Sequence, residues 1–324
     1  MIKNVSIRNF KSIKELDFKA KRVNVFIGEP NTGKSNILEA LGMFSLYHGS
    51  KHGTPIRYRE VANLYYDNET HFVDGPSVKT DKYSYTLNRF DHLEISIKKG
   101  NDWQELREIE LHNDERKSFS DDVPIKFYQF KVLDHYQEHG KHINPPYGDN
   151  LFDVLMNHKP LKGLVSSLLK AKGYRLNLRT KDKEIEISKE IDDVIYTYPY
   201  QSLSDTLQRI IFYWAIIETN KNSTILLEEP ESRMSPFYIR DIADQIAHDT
   251  HNQYFLVTHN PYFLVTLVEK TKRSDLSVSV TYLEDYQTKL KQLGKEDLEE
   301  LTDLDTAIFF NLDKFTEVES TVSV

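Results

Sequence analysis

The sequence predicts an α/β fold: a mixed central sheet, an antiparallel β subdomain and a helical subdomain. Three observations carry that expectation. Strand-length runs rich in apolar residues, VNVFI (23–27), TILL (224–227) and QYFLV (253–257), are each followed by polar residues suited to chemistry. Apolar residues recur at helical spacing after the first run and before the second. Short alternating runs such as YSYTL (83–87) and LEISIKK (93–99), separated by turn signals, fill residues 48–125.

In chain order, Ile2, Val5, Ile7 and Phe10 follow strand spacing, and RVNVFIG (22–28) reads as a second, buried strand. Ile37, Leu38, Leu41 and Phe44 then mark a helix. INPPYGDNLFDVL (143–155) reads as a turn and a helix start, continued by HKPLKGLVSSLLKAKGY (158–174). EIEISKEIDDVIYTY (184–198) reads as strands. In TLQRIIFYWAIIE (206–218), the apolar positions 207, 210, 211, 214 and 215 predict an amphipathic helix. Ser235 and Pro236 suit the N-cap and first position of the next helix, and Asn260 and Pro261 repeat the device. LSVSVTYLE (276–284) adds a strand and KEDLEELTDL (295–304) a short acidic helix. No repeat or sustained heptad pattern appears, which argues against a long coiled-coil arm.

Bulk properties remove several classes. The chain has no cysteine, which excludes disulfides and thiolate metal sites and fits a cytoplasmic location. No segment reaches the roughly 18 uninterrupted apolar residues of a membrane span, so no membrane association is expected. The start, MIKNVSIRNFKSIKELDF, alternates apolar and polar residues and resembles neither a signal peptide nor an anchor. A net charge of −8 argues against a polycation that coats nucleic acid. Lys3, Arg8, Lys11, Lys14, Lys19, Lys21 and Arg22 crowd the first strands and read better as the solvated edge of a sheet than as a DNA patch.

The chemistry begins at GEPNTGKSN (28–36), with the spacing G-x-x-x-x-G-K-S between a strand and a helix. Gly28 and Gly33 let the backbone wrap closely, with Glu29, Pro30, Asn31, Thr32 and Asn36 completing a cradle whose N–H groups face an anion. Lys34 would reach the β- and γ-phosphates of ATP, and the Ser35 hydroxyl would ligate Mg²⁺. Downstream, Glu228 and Glu229 stand at the carboxyl end of an apolar strand, the edge where α/β sheets bind ligands. Glu228 would hold the magnesium, and Glu229 would orient or deprotonate the attacking water. Helix-capping acids are the bland alternative, but exposed caps rarely follow so apolar a strand. His259 reaches the same rim and would contact the γ-phosphate. Ser202 and Ser204, in SLSDTLQR (202–209), form a serine-rich turn at a helix N-terminus that suits the nucleotide of another subunit, as in a twofold homodimer.

Together, IRNFKSI, GEPNTGKSN, SLSDTLQR, LLEEPESRMSP and LVTHNP occur in the order seen in ABC-type ATPase heads. The sequence resembles the branch containing RecF, the SMC proteins and the OLD ATPases, and most closely its stand-alone AAA-type members. The resemblance implies a P-loop NTPase head over residues 1–324. Residues 1–125 would hold the N-terminal strands, Walker A and the antiparallel β subdomain. Residues 126–200 would hold the helical subdomain and its following strands. Residues 201–270 would hold the signature, Walker B and switch histidine, and 271–324 a strand and an acidic helix. It assigns Walker A to Gly28–Ser35, Walker B to Glu228, the catalytic glutamate to Glu229 and the switch to His259. SRMS (232–235) matches the D-loop, and Gln129 is the candidate glutamine-loop residue.

Two departures stand out. Asp205 and Thr206 replace the glycines that follow the signature serine, and Ser235 replaces the usual aspartate of the D-loop. Related proteins often carry a nuclease domain, but only a short stretch follows LVTHNP. Its Asp303–Asp305 pair reads as a solvated acidic turn. The resemblance therefore implies ATP hydrolysis coupled to ATP-dependent dimerisation, regulating a separately encoded effector in DNA repair, phage defence or a toxin–antitoxin module. The alternatives are a RecF-like ATP-dependent DNA clamp and a non-hydrolysing ATP sensor in which Asp205 prevents closure.

Overall fold

Period-two burial builds the sheets. The computed structural model describes residues 1–49, 52–69, 74–88, 92–99, 101–111, 123–136, 138–304, 308–309 and 311–316. Strands β1 (Asn4–Phe10) and β2 (Ile13–Lys19) form a hairpin whose tight reversal places Asn9 and Lys11 at φ 55° and 51°. The buried run 23–28 is therefore the third strand, β3 (Val23–Gly28), not the second. Ile13, Leu16 and Phe18 turn inward in β2, but the charged residues between them mask the alternation in the sequence.

Helix α1 (Lys34–Gly42) follows β3. Strands β4 (Ser77–Thr80), β5 (Tyr83–Leu87), β6 (His92–Lys99) and β7 (Asp102–Glu110) join the first hairpin in an antiparallel sheet of order β2-β1-β4-β5-β6-β7. Next come β8 (Ile125–Tyr128), α2 (Leu151–Asn157) and α3 (Lys159–Ala171). The predicted single helix breaks at His158, whose ring accepts the Leu161 N–H at 3.2 Å and caps α3. Strands β9 (Arg175–Arg179), β10 (Glu184–Ile191) and β11 (Val194–Pro199) make a small antiparallel sheet, with β9 an unforeseen member.

Helix α4 (Asp205–Thr219) corrects the amphipathic expectation. Every residue from Ile210 to Ile217 is buried, because α4 is wedged among α2, α3 and α5 (Pro236–His248). A helix that is apolar all round belongs inside. The remaining elements are β12 (Thr224–Glu228), β13 (Gln253–Val257), α6 (Pro261–Lys270), β14 (Leu276–Glu284), β15 (Gln287–Gln292) and α7 (Lys295–Leu304). Asp303 falls in α7, and its predicted partner Asp305 lies outside the described residues.

The central sheet has the order β15-β14-β3-β13-β12-β8 and is parallel except for β15, the mixed sheet expected. Val25, Ile27, Ile225, Leu227 and Leu256 pack on one face with α4, α5 and α6. Phe26, Leu226, Phe255 and Val257 pack on the other with α1 and the antiparallel sheet. Both faces are covered, so these strands read as nearly continuous apolar runs. No helix among the described residues is long and apolar enough to cross a membrane.

Several amino-terminal cations are engaged within the fold. Arg8 pairs with Glu15 and Asp17 at 3.0 and 2.7 Å, and the Lys21 ammonium donates to the carbonyls of Arg273 and Leu276. Arg22 is buried and closes the carboxyl end of α5. It donates to Ile246 O at 3.1 Å, Ala247 O at 2.7 Å and Asp249 O at 2.6 Å. Truncation would strand those carbonyls and lose one charge pair, so Arg22→Ala should lower the unfolding free energy by about 2–4 kcal/mol in urea melts.

Candidate nucleotide site

The loop after β3 is shaped by what surrounds its glycines. Gly28 has φ 154°, and a side chain there would lie 2.5 Å from the Thr281 carbonyl oxygen. Gly33 has φ 88°, and its added carbon would lie 1.9 Å from Thr288 Oγ1 and 2.9 Å from Ser12 Oγ. Only glycine fits either position. Gly33 is also the N-cap of α1, and no side chain caps the helix there, so the first-turn N–H groups remain available to an anion.

Two polar side chains staple the loop. Thr32 donates to Glu29 O at 2.8 Å and shares a hydrogen bond with Thr281 at 2.6 Å. The Asn36 amide donates to Ser12 Oγ at 2.7 Å, and Ser12 meets Thr288 Oγ1 at 2.7 Å. Glu29, Pro30 and Asn31 are exposed at the rim, with Asn31 at φ 63°.

Lys34 is buried and donates to the carbonyls of Gly28 and Glu29 at 2.9 and 2.6 Å. Burial lowers its pKa to about 8, opposed by the negative charges of Glu229, Glu228 and Glu29. The Ser35 hydroxyl donates to Glu228 Oε1, joining the loop to the end of β12. Strand β13 lies between β3 and β12 and therefore delivers His259 between the loop and the glutamates. His259 Nε2 stands 3.6 Å from Glu229 Oε1, and Ser232 donates to Glu229 Oε2 at 3.1 Å. Burial and the Lys34 charge lower the pKa of His259, against the pull of Glu229, which favours the neutral ring near pH 7.

The other predicted residues fall less tightly. Gln129 follows β8, and the pairing of Tyr128 with Leu227 sets it level with Glu228 on the neighbouring strand, past the strand end and exposed. Ser202 and Ser204 are exposed, and Ser204 caps α4 by accepting the Leu207 N–H at 3.4 Å. No hydrogen bond or ion pair among the described residues joins either serine to the loop of its own chain. Ser235 is the N-cap of α5 but makes no side-chain capping bond.

Two residues escaped sequence reasoning. Arg57 Nη2 lies 3.6 Å from Glu228 Oε1, while its Nε donates to Glu39 Oε1 at 2.6 Å. The Glu39 carboxylate is fully buried and also pairs with Lys11. Arg57 sits in a polar stretch without periodicity, which gave no local signal. Glu231 is 5% exposed and accepts the Thr258 hydroxyl at 2.5 Å and the His259 N–H at 3.4 Å. Its other oxygen has no hydrogen-bond partner among the described residues. The only sequence hint was a second glutamate just past Glu229 and a proline.

Burial raises the Glu231 pKa to about 7 from an ordinary 4.5. Between those values the native chain keeps a proton that the unfolded chain has released, so stability falls as pH rises through the window. The full change is about 3 kcal/mol. Glu231→Gln should lose this part of the pH dependence, which thermal melts from pH 4.5 to 7.5 would read.

The family model described as an AAA ATPase domain matches residues 1–209, well over half of the chain, and ends inside α4. No curated protein matches the chain. Among solved structures, the SmcHead bound to the C-winged helix domain of ScpA is 13% identical, with 92% of this chain and 99% of that one covered and a TM-score of 0.54. The SMC head domain from Thermotoga maritima is 12% identical, with 90% and 99% covered and a TM-score of 0.46. The first of these likenesses is one of fold: the chain folds like an SMC head. The matched family supplies the rest: this chain belongs to the AAA ATPase domain family.

Proposed function

We propose that the chain is an ATP-hydrolysing head that dimerises around two ATP molecules in the cytosol and regulates a separately encoded effector. The observation that carries this reading is the meeting of Ser35 and Glu228 on a rim that also holds Lys34, Glu229 and His259. A hydroxyl and a carboxylate are the hard oxygen donors that magnesium prefers, with water completing its shell. Magnesium held there by Ser35 and Glu228 would neutralise charge on the β- and γ-phosphate oxygens.

The chain's own groups do the rest. The first-turn N–H groups of α1 bind phosphate oxygens, and Lys34 exchanges its two carbonyl partners for phosphate. Glu229, steadied by Ser232 and facing neutral His259, orients the attacking water and takes its proton. Arg57 keeps Glu228 in register from the side of Glu39. Gln129 stands on the same rim to meet the γ-phosphate side. The exposed Ser202–Ser204 turn faces the nucleotide of the second copy. Engagement of Arg8, Lys11, Lys21 and Arg22 inside the chain weighs against the DNA-clamp alternative.

Glu229→Gln should cut steady ATP turnover by about 10²-fold or more and accumulate an ATP-dependent dimer in light scattering. Lys34→Ala should lose ATP binding. A Glu229→Gln chain that stays monomeric at saturating ATP would remove the head-engagement reading. The lowered Lys34 pKa sets a second outcome. A bound triphosphate favours the protonated ammonium, so binding takes up protons near pH 8 and ATP affinity falls as pH rises above that value. Lys34→Arg should flatten the trend in titrations from pH 7 to 9.5.

A further inference from the structure

Asp205 lies beside Ser204 at the exposed start of α4, where an anion would oppose the approach of a phosphate. Its carboxylate turns back instead. Asp205 Oδ2 accepts from Arg209 Nε at 2.7 Å, one helical turn on. Pairs of this spacing on a solvated helix contribute little, because both side chains keep their freedom. This one is different: the Arg209 side chain is only 14% exposed. Its guanidinium carbon sits 4.5 Å above the Phe130 ring, which in turn packs edge-on against Phe212 at 5.7 Å. The buried Tyr213 phenol lies beside the same guanidinium. A cation over an aromatic face is held by the ring as well as by the carboxylate. The turn itself is tied to the SRMS segment through the Thr206 hydroxyl, which donates to Arg233 O at 3.1 Å.

We propose that Arg209 is a positioning residue that draws the Asp205 charge away from Ser204, so that this turn of one copy can face the triphosphate held by another. The proposal rests on the head-engagement reading above. It accounts for how a signature carrying an aspartate in place of glycine remains compatible with closure. Arg209 touches no part of its own chain's phosphate loop among the described contacts, so its effect falls on dimerisation and not on nucleotide binding by the monomer.

The test uses the full chain in a Glu229→Gln background, with ATP-driven dimerisation followed by analytical ultracentrifugation and monomer affinity by a fluorescent ATP analogue. Arg209→Gln should weaken dimerisation about tenfold or more, since an unneutralised like charge then faces the phosphates. Monomer affinity should stay within about twofold, and added salt should shrink the dimerisation loss by screening. Asp205→Asn placed in the Arg209→Gln chain should restore dimerisation to near the parent value, and Arg209→Lys should retain most of it. A double variant as weak as Arg209→Gln alone would show that Arg209 acts through packing and would overturn the proposal. So would an Arg209→Gln chain that dimerises like its parent. If Arg209→Gln does not fold, Asp205→Asn carries the test: dimerisation at least as tight as the parent supports the role, and a tenfold loss overturns it. A parent that stays monomeric overturns the head-engagement reading and this proposal together, whereas a dimerising parent with no Arg209 effect sinks this proposal alone.

Discussion

The hydroxyl of Ser35 resting on the carboxylate of Glu228 joins two residues 193 positions apart, and the site is organised around that contact. It exists because β3, β13 and β12 run parallel, which brings their carboxyl ends to one rim. Helix α1 then passes beneath β13 to lie under β12 and β8. Its far end can approach that closely only because Gly42 has no side chain; an added carbon would sit 2.4 Å from Phe127 Cδ1. The packing of α1 against β8 and the chemistry at its amino end are therefore one constraint.

Charge on the rim is balanced in layers. Fully buried Glu39 would be costly without its two cations, Lys11 and Arg57. Arg57 also faces Glu228, so a requirement of the interior places a cation beside the proposed metal ligand. Glu229 adds a local demand. It has φ 44°, a conformation that costs a non-glycine residue on the order of 1 kcal/mol or more. Its N–H bonds Val257 O at 2.9 Å, which fixes that turn and leaves its carboxylate toward His259.

What could be read from the sequence was what local pattern encodes. The three buried strands announced themselves by continuous apolarity, the loop by its glycines, and the starts of α5 and α6 by Ser-Pro and Asn-Pro. What escaped was set by distant packing. Strand β2 hides its alternation among Lys14, Glu15, Asp17 and Lys19, and β9 exposes part of both leucine side chains. Helix α4 looks amphipathic until α2, α3 and α5 cover its outer face. Arg57 and Glu231 gain meaning only from partners at Glu39, Glu228 and Thr258, and no spacing rule connects those positions. Asp205 reads from sequence alone as a charge that would repel a phosphate, whereas its pairing with an Arg209 seated over Phe130 depends on the packing of α4 and is visible only in the fold.

A remaining feature of the rim argues for a second copy. The Glu229 and His259 side chains are 45% and 39% exposed, so the place where water would attack lies open to solvent. An open site screens the charges meant to steady the transition state and leaves the attacking water poorly fixed. Thr32, Gly33 and Lys34, by contrast, are buried and held by contacts within the single chain. On the proposed function, binding elements held within one chain beside hydrolytic elements that are still wet would make nucleotide capture a property of the monomer. Efficient hydrolysis would then belong to the closed pair. Under the proposed head engagement, the exposed Ser204 turn is the surface that would close the partner's open rim.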